Sequence, residues 1–281
     1  MKIIRSVSLM TKCSLAQKAA GKSVGFVPTM GALHEGHLSL VRKARRDNDI
    51  VVVSIFVNPA QFGPKEDLKR YPRPIKKDIS LCRKSGVDFL FYPQPGAMYP
   101  EGFRTYVTVG GLSNLLCGRT RPGHFRGVAT VVLKFFNIVQ PDIAYFGQKD
   151  IQQAVIINRM VSDLDIPVKI KVMPIIREKS GLALSSRNIY LNKEEKKAVL
   201  ALSRALNLAN TLVKGGLKES KRLISRIKMV IEKEKMASID YVVVVKEENL
   251  APVKKISGKC VIALAVWLGK TRLIDNMVVK T

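Results

Sequence analysis

Apolar and polar positions alternate between two rhythms along the first two thirds of the chain. Val24 to Val27 is a short apolar run that stops at Pro28. Leu38 to Arg46 follows with Leu38, Val41 and Arg45 spaced for one helical face and basic residues crowding its end. Ile50 to Val57 is apolar but for Ser54 and rich in β-branched residues, the pattern of a strand covered on both faces. Strand, helix and strand this close together make a βαβ unit, so the sheet is expected to be parallel. The alternation goes on: helix at Ile75–Ser85, strand at Phe89–Tyr92, helix at Val128–Val139, strand at Ile143–Phe146, helix at Ile151–Leu164, strand at Val168–Met173. The expected fold class is α/β, a doubly wound, Rossmann-like parallel sheet. Such sheets bind ligands beyond the carboxyl ends of their strands.

After about Arg177 the rhythm changes. Asn192 can cap a helix from Lys193 to about Leu212, with Glu194 and Glu195 in its first turn and Gly215-Gly216 ending it. A second helix is expected over Leu217–Lys235, then strands at Ile239–Val245, Val261–Leu268 and Leu273–Val279. This is a smaller α+β domain. The expected division is 1–176 for the Rossmann-like domain and 177–281 for the smaller one.

Composition narrows the function classes. At 281 residues and 47% hydrophobic, the chain can bury a sizeable core. Its longest apolar run, Cys260 to Leu268, is too short to span a bilayer as a helix. Arg5 and Lys12 interrupt the early apolar stretches, which does not suit a signal peptide. Cys13, Cys82, Cys117 and Cys260 are widely separated, so reduced thiols and a cytoplasmic location are expected. The net charge of +26 attracts anions in general, nucleic acid included. Its lysines and arginines are scattered, however, as in Arg45-Arg46, Lys76-Lys77 and Lys254-Lys255. No dedicated nucleic-acid or membrane role is expected.

The candidate chemistry sits at strand-to-helix turns. In Pro28-Thr29-Met30-Gly31-Ala32-Leu33-His34-Glu35-Gly36-His37, the glycines allow close backbone approach, and the helix start offers N–H groups to a phosphate. His34 and His37, two of the 3 histidines, can together stabilise charge on phosphate oxygens. Their i, i+3 spacing departs from the i, i+4 of the zinc protease helix, and no third ligand is evident. Asn58-Pro59-Ala60-Gln61-Phe62-Gly63 offers two amides that suit hydroxyl and carboxylate groups, although an ordinary Asn-Pro turn is equally compatible. Arg121-Pro122-Gly123-His124-Phe125-Arg126-Gly127 repeats the glycine-rich, basic theme; a solvated basic turn is its alternative. Phe146-Gly147-Gln148-Lys149-Asp150 pairs close approach with a point charge for phosphate, and Gln153 is expected on the face of Asp150. In Leu184-Ser185-Ser186-Arg187-Asn188, two hydroxyls and an arginine can wrap a polyphosphate, or simply form a hinge loop.

The His-x-x-His turn and the later Ser-Ser-Arg loop resemble the nucleotidyltransferase superfamily. Within it, Gly25–His37, Phe56–Gly63, Arg121–Gly127, Tyr145–Gln153 and Leu182–Asn188 resemble, in order, the segments of the pantothenate synthetase family. Together they are far more specific than any one alone. The resemblance implies an ATP-dependent ligase that converts pantoate to pantoyl adenylate and joins it to β-alanine, with Mg²⁺ required. It implies an ATP site built from Met30, Gly31, Ala32, Leu33, His34, Glu35, Gly36, His37, Gly147, Gln148, Lys149, Asp150, Ile176, Leu184, Ser185, Ser186 and Arg187. His37, His34, Lys149 and Arg187 are the catalytic candidates. His37 is the family's usual proton donor, with charge stabilisation as a further role. Gln61, Gln153, Asn58 and His124 would serve the substrates, with Gln61 also near β-alanine and His124 also near the triphosphate. Asp150 would lie near the ribose, and Ile176 would offer its backbone to adenine. A homodimer and closure of a domain over ATP are further implications.

Two departures stand out. Ala183-Leu184 occupy a place where related synthetases often carry lysine, and Lys76-Lys77 precede Asp78 where relatives can be more acidic. The second puts a protein contact to Mg²⁺ in doubt. The rival readings are a mononucleotide adenylyltransferase on the same fold and a non-enzymatic nucleic-acid binder.

Overall fold

The β-branched run after Asp49 lies at the centre of the sheet, and every residue of that strand is buried. In the computed structural model, which describes residues 1–64 and 66–280, the chain forms two units. Unit 1 comprises Met1–Gly147 and Ile156–Pro174; unit 2 comprises Gln148–Val155 and the chain from Ile175 onward.

The elements up to Pro174 are β1 (Lys2–Ile4), α1 (Val7–Ala19), β2 (Val24–Thr29), α2 (Glu35–Asp47), β3 (Ile50–Ile55), α3 (Ile75–Lys84) and β4 (Phe89–Phe91). The one-turn helices α4 (Pro95–Met98) and α5 (Cys117–Thr120) precede α6 (His124–Val139), β5 (Ile143–Gly147), α7 (Ile151–Asp163) and β6 (Lys169–Met173). The strands pair in the order β1-β4-β3-β2-β5-β6, all parallel, as the alternating pattern predicts. Successive strands step outward on both sides of β2, so the order reverses between β2 and β5. The crevice beyond Thr29 and Gly147 is therefore where this architecture binds ligands.

Differences from the sequence reading are local. No element was expected before residue 24, yet β1 and α1 are present. The strand is only 3 residues long, and α1 buries only Met10 and Ser14, so no apolar stripe marks it. α2 and α6 begin at Glu35 and His124 rather than Leu38 and Val128, because their first turns are polar or glycine-containing and carry no hydrophobic rhythm.

Unit 2 carries α8 (Lys193–Ala198), α9 (Leu200–Lys214), α10 (Ser220–Ile231) and an antiparallel sheet β7-β8-β9 (Ala237–Lys246, Lys259–Leu268, Thr271–Lys280). The single helix expected from Lys193 is divided at Val199, where Leu202 N–H bonds the Val199 carbonyl in a tightened i+3 turn. The expected cap at Asn192 is present: its Oδ1 accepts from Glu194 and Glu195 N–H, and the Glu195 carboxylate accepts Asn192 N–H in return. α10 is shorter than Leu217–Lys235 at both ends. Leu202, Leu206, Leu223, Ile227, Ile262 and Leu264 lie in the core that joins α9 and α10 to the sheet.

Candidate active site

The sequence-predicted residues fall into two groups, and each unit presents its own. Unit 1 holds Met30–His37, Asn58, Gln61, His124 and Gly147. Unit 2 holds Gln148–Asp150, Gln153, Ile176 and Leu184–Arg187.

In unit 1 the chain leaves β2 through a strained turn. Gly31 has φ +84 and Ala32 has φ +50, two left-handed residues in succession. The first favours glycine; the second costs an alanine about 1–2 kcal/mol and must be held by its surroundings. The holder is Asp78 on α3, which is 1% exposed. Its two carboxylate oxygens accept the N–H groups of Ala32 and Leu33, each at 2.9 Å. Burial pushes the Asp78 carboxyl up, while the Leu33 and Ala32 N–H bonds and nearby Lys77 pull it down. Thr29 closes the other side, donating to Ser54 O at 2.7 Å and accepting from Gly31 N–H at 3.1 Å.

His34 is the N-cap of α2, not a residue within it. Its Nδ1 accepts Gly36 N–H at 3.2 Å, and His37 Nδ1 accepts His34 N–H at 3.4 Å. The two rings lie 4.1 Å apart between centroids. Because each Nδ1 is an acceptor, each neutral ring carries its proton on Nε2. Two imidazole N–H donors therefore stand side by side at a helix N-terminus, an arrangement suited to phosphate oxygens. Protonating either Nδ1 would set N–H against N–H and break the cap.

The turn after β3 is ordered by a chain of polar contacts. Arg121 pairs bidentately with Glu66, at 2.9 and 2.5 Å, and its Nη1 lies 3.0 Å from His124 Nε2. His124 Nδ1 donates to Gln61 O at 2.8 Å. Asn58, 1% exposed, uses its side-chain amide entirely within the protein: Nδ2 donates to Gln61 Oε1 and Gly127 O, and Oδ1 accepts from Ala60 N–H and Tyr99 O–H. Gln61 Nε2 is turned toward Met30 Sδ at 3.3 Å. The sequence reading grouped Asn58 and His124 with Gln61 as substrate residues; the structure bonds both to Gln61, Asn58 to its side-chain oxygen and His124 to its backbone carbonyl. A pocket of about 220 Å³ opens at the carboxyl ends of β2, β3 and β4, lined by Met30, Gly31, Phe56, Arg73, Asp78 and Gln94 among others. At the end of β5, a Cβ added to Gly147 would meet nothing within 4 Å, so packing does not demand glycine there.

In unit 2, Asn276 of β9 holds the 148–149 turn. Its Nδ2 donates to Gln148 O at 2.9 Å and Lys149 O at 3.0 Å, and its Oδ1 accepts from Gln148 Nε2 at 3.2 Å. Lys149 Nζ lies 4.0 Å from Asp150 Oδ1. Gln153 is partly buried in α7. Ahead of the Ser-Ser-Arg loop, the Arg177 guanidinium bonds Gly181 O at 3.1 Å and forms a bidentate pair with buried Asp275 at 2.7 and 2.9 Å. Leu184 N–H bonds Ile176 O, and Ser185 Oγ accepts Arg187 N–H to start the short helical turn Ser186–Tyr190.

Tyr99, Glu66, Asp275 and Asn276 were not singled out by sequence reasoning as parts of the site, and Asp78 was read only in connection with Mg²⁺, not as the support of the turn after β2. Each meets its partner across a long stretch of chain, and no local spacing marks it.

The donor set does not suit a resident divalent cation. Both oxygens of Asp78 are taken by backbone N–H groups, and among the described residues no group of three His, Cys, Asp or Glu could hold a metal ion. Among the described residues, His, Cys, Asp and Glu assemble no site that would hold Mg²⁺ by protein ligands alone. Among the described residues no helix is long and apolar enough to cross a membrane.

Comparison with known proteins agrees with the segment matches. The family model described as Pantoate-beta-alanine ligase matches residues 2–278. Pantothenate synthetase of Heliobacterium modesticaldum is 54% identical over 280 residues, covering 100% of both chains. That of Caldicellulosiruptor bescii is 52% identical over 280 residues, 100% of this chain and 99% of its own. The crystal structure of pantothenate synthetase from Thermus thermophilus superposes with a TM-score of 0.93 at 44% identity, covering 99% of each chain. The pantoate-beta-alanine ligase of Francisella tularensis, whose structure is described as complexed with beta-gamma ATP and beta-alanine, has a TM-score of 0.82 at 35% identity, covering 99% of this chain and 97% of that one. By its family match, its full-length relatives and its fold, the chain belongs to the pantoate–β-alanine ligase family.

Proposed function

We propose that the chain makes pantothenate from pantoate and β-alanine with ATP, through pantoyl adenylate. The observation that carries the reading is the His34–His37 pair: two imidazoles side by side at a helix N-terminus, each with Nδ1 committed to a backbone N–H. Full-length relatives that are pantothenate synthetases support the choice of substrates.

In the first step a pantoate carboxylate oxygen bonds to the α-phosphorus of ATP, and the bond to the bridging oxygen of pyrophosphate breaks. In the second, the neutral amine nitrogen of β-alanine bonds to the acyl carbon, the carbon–oxygen bond to AMP breaks, and the nitrogen releases a proton. Charge builds on phosphate oxygens in the first step, and neutral Nε2–H donors stabilise it without transferring a proton. His34 and His37 fill that role, with Lys149 and Arg187 as the cationic contributors. Met30 to His37 bind the nucleotide, as do Gly147 to Asp150, Ile176 and Leu184 to Arg187. Gln61 and Gln153 bind pantoate; Asn58 and His124 serve by holding Gln61. The pocket beside Met30 has room for a small acid or amine. Mg²⁺ enters with the nucleotide, since magnesium is commonly held by substrate phosphates and water. We further infer a homodimer acting in the cytoplasm. All four cysteines are free, which suits a reducing compartment.

The test is pantoate-dependent exchange of labelled pyrophosphate into ATP, with Mg²⁺ present and β-alanine absent. Exchange that requires pantoate is the expected result. Adenylation of a phosphate acceptor in place of pantoate would transfer the chain to the mononucleotide adenylyltransferases.

A further inference from the structure

We propose that Arg73 grips the carboxylate of the amino-acid substrate, seating β-alanine in the pocket at the carboxyl ends of β2, β3 and β4. That pocket has a volume of about 220 Å³. Its walls include Ile55, Phe56 and Pro93, and among the described lining residues the charged ones are Arg73 and Asp78. Apolar walls with a few placed polar groups suit a small ligand that has a short hydrocarbon body and a charged end.

The local sequence stiffens the place of the arginine. Pro72 and Pro74 flank it, so Arg73 sits between two fixed φ values and is itself biased to an extended backbone. Tyr71 anchors the approach: it is buried, and its ring packs 5.9 Å from that of Phe62 between centroids. On the other side Ile75 N–H bonds Arg73 O as α3 begins. Arg73 Nη2 donates to Leu68 O at 3.0 Å. That bond uses one N–H of a guanidinium that carries several, so a fork remains for a carboxylate. Asp78, by contrast, has each oxygen bonded to a backbone N–H. Gln94, the N-cap of α4, makes no cap bond with its side chain, which leaves its amide as a second polar group for the ligand.

Two arguments choose β-alanine over pantoate as the occupant. The pantoate carboxylate is the group that attacks phosphorus, so an arginine cannot tie it down elsewhere. The β-alanine carboxylate takes no part in bond making. Its amine does, and the molecule needs a handle at the other end. Lys149 and Arg187 are assigned to the phosphates and leave that handle unfilled. The second argument is charge. One group of each sign lines the pocket, which complements a zwitterion better than a simple anion. Met30 also lines the pocket, and its Sδ lies 3.3 Å from Gln61 Nε2, so the seat adjoins the amide assigned to pantoate.

This inference rests on the pantoate reading of the site, and its experiment separates the two. Arg73→Met keeps most of the apolar stem and removes the charge. In the complete reaction its KM for β-alanine is expected to rise about 10- to 100-fold, the scale of a hydrogen-bonded charge contact. KM for pantoate in pyrophosphate exchange, where β-alanine is absent, is expected to keep its wild-type value. Propylamine carries a methyl group in place of the carboxylate. Wild type is expected to prefer β-alanine to propylamine, and Arg73→Met to lose that preference by the same factor while its rate with propylamine holds. An equal loss toward both amines would show a general structural defect and overturn the proposal. Failure of pantoate to support exchange in wild type would instead bring down the pantoate reading. Saturation-transfer NMR of β-alanine with no acid or ATP present then still tests the arginine: a weaker signal with Arg73→Met is expected, and equal signals from the two proteins would sink the proposal.

Discussion

Replacing Gly127 with alanine sets two effects of opposite sign against each other. Gly127 lies in the first turn of α6, and an alanine in a helix is favoured over glycine by about 1 kcal/mol. A Cβ there, however, would lie 2.2 Å from Ala60 O, 2.4 Å from Ala60 C and 2.6 Å from Gln61 N. Carbon atoms pack at about 3.5 Å, so the 58–61 turn must recoil by roughly 1 Å. Overpacking of this kind costs about 1–3 kcal/mol, which outweighs the propensity gain. The recoil also moves the Gln61 backbone and breaks the Asn58 bond to Gly127 O. A displacement near 1 Å at a positioning group costs on the order of 100-fold in rate. The expected result is a lower Tm and a kcat/KM for pantoate reduced by about that factor. Thermal unfolding and pyrophosphate exchange check both. A Gly127→Ala variant with a raised Tm and normal pantoate dependence would refute the claim that α6 is pressed against this turn to place Gln61.

Further consequences follow from the polar supports. Asp78→Asn leaves only one acceptor for the Ala32 and Leu33 N–H groups and turns an NH₂ toward the other; a stability loss of about 1–3 kcal/mol and a weaker ATP dependence are expected, read by denaturant unfolding and KM for ATP. Arg177→Met leaves Asp275, whose side chain is 3% exposed, as an unpaired buried charge; a loss of about 3–5 kcal/mol is expected, and Arg177→Met with Asp275→Leu together should recover most of it in the same unfolding assay. The bonds from Lys171 and Lys43 hold the Asp47 carboxyl well below the usual carboxylate range. A depressed folded pKa contributes stability that is present above the unfolded value of about 4 and lost as pH falls below it. Tm measured from pH 7 downward should therefore fall less steeply through the acid range in Asp47→Asn than in wild type; parallel curves would remove Asp47 from the account.

The hydrophobic rhythm determined the architecture. Ile50 to Ile55 can be buried on both faces only in the middle of a covered sheet, and βαβ spacing makes that sheet parallel. The glycine-rich turns after β2 and β5 and the Ser-Ser-Arg loop carry their chemistry locally, so their segments were legible and the family with them. Helix starts at Glu35 and His124 were not, because capping residues have no apolar period. Tertiary structure alone decided the rest. That Asp78 spends its carboxylate on a strained turn, that Asn58 and His124 bond to Gln61, and that Asn276 holds the 148–149 turn all follow from where the fold brings these side chains. A hydrogen bond depends on where two groups meet in space. The order of residues names the donors and acceptors, and only the folded chain pairs them.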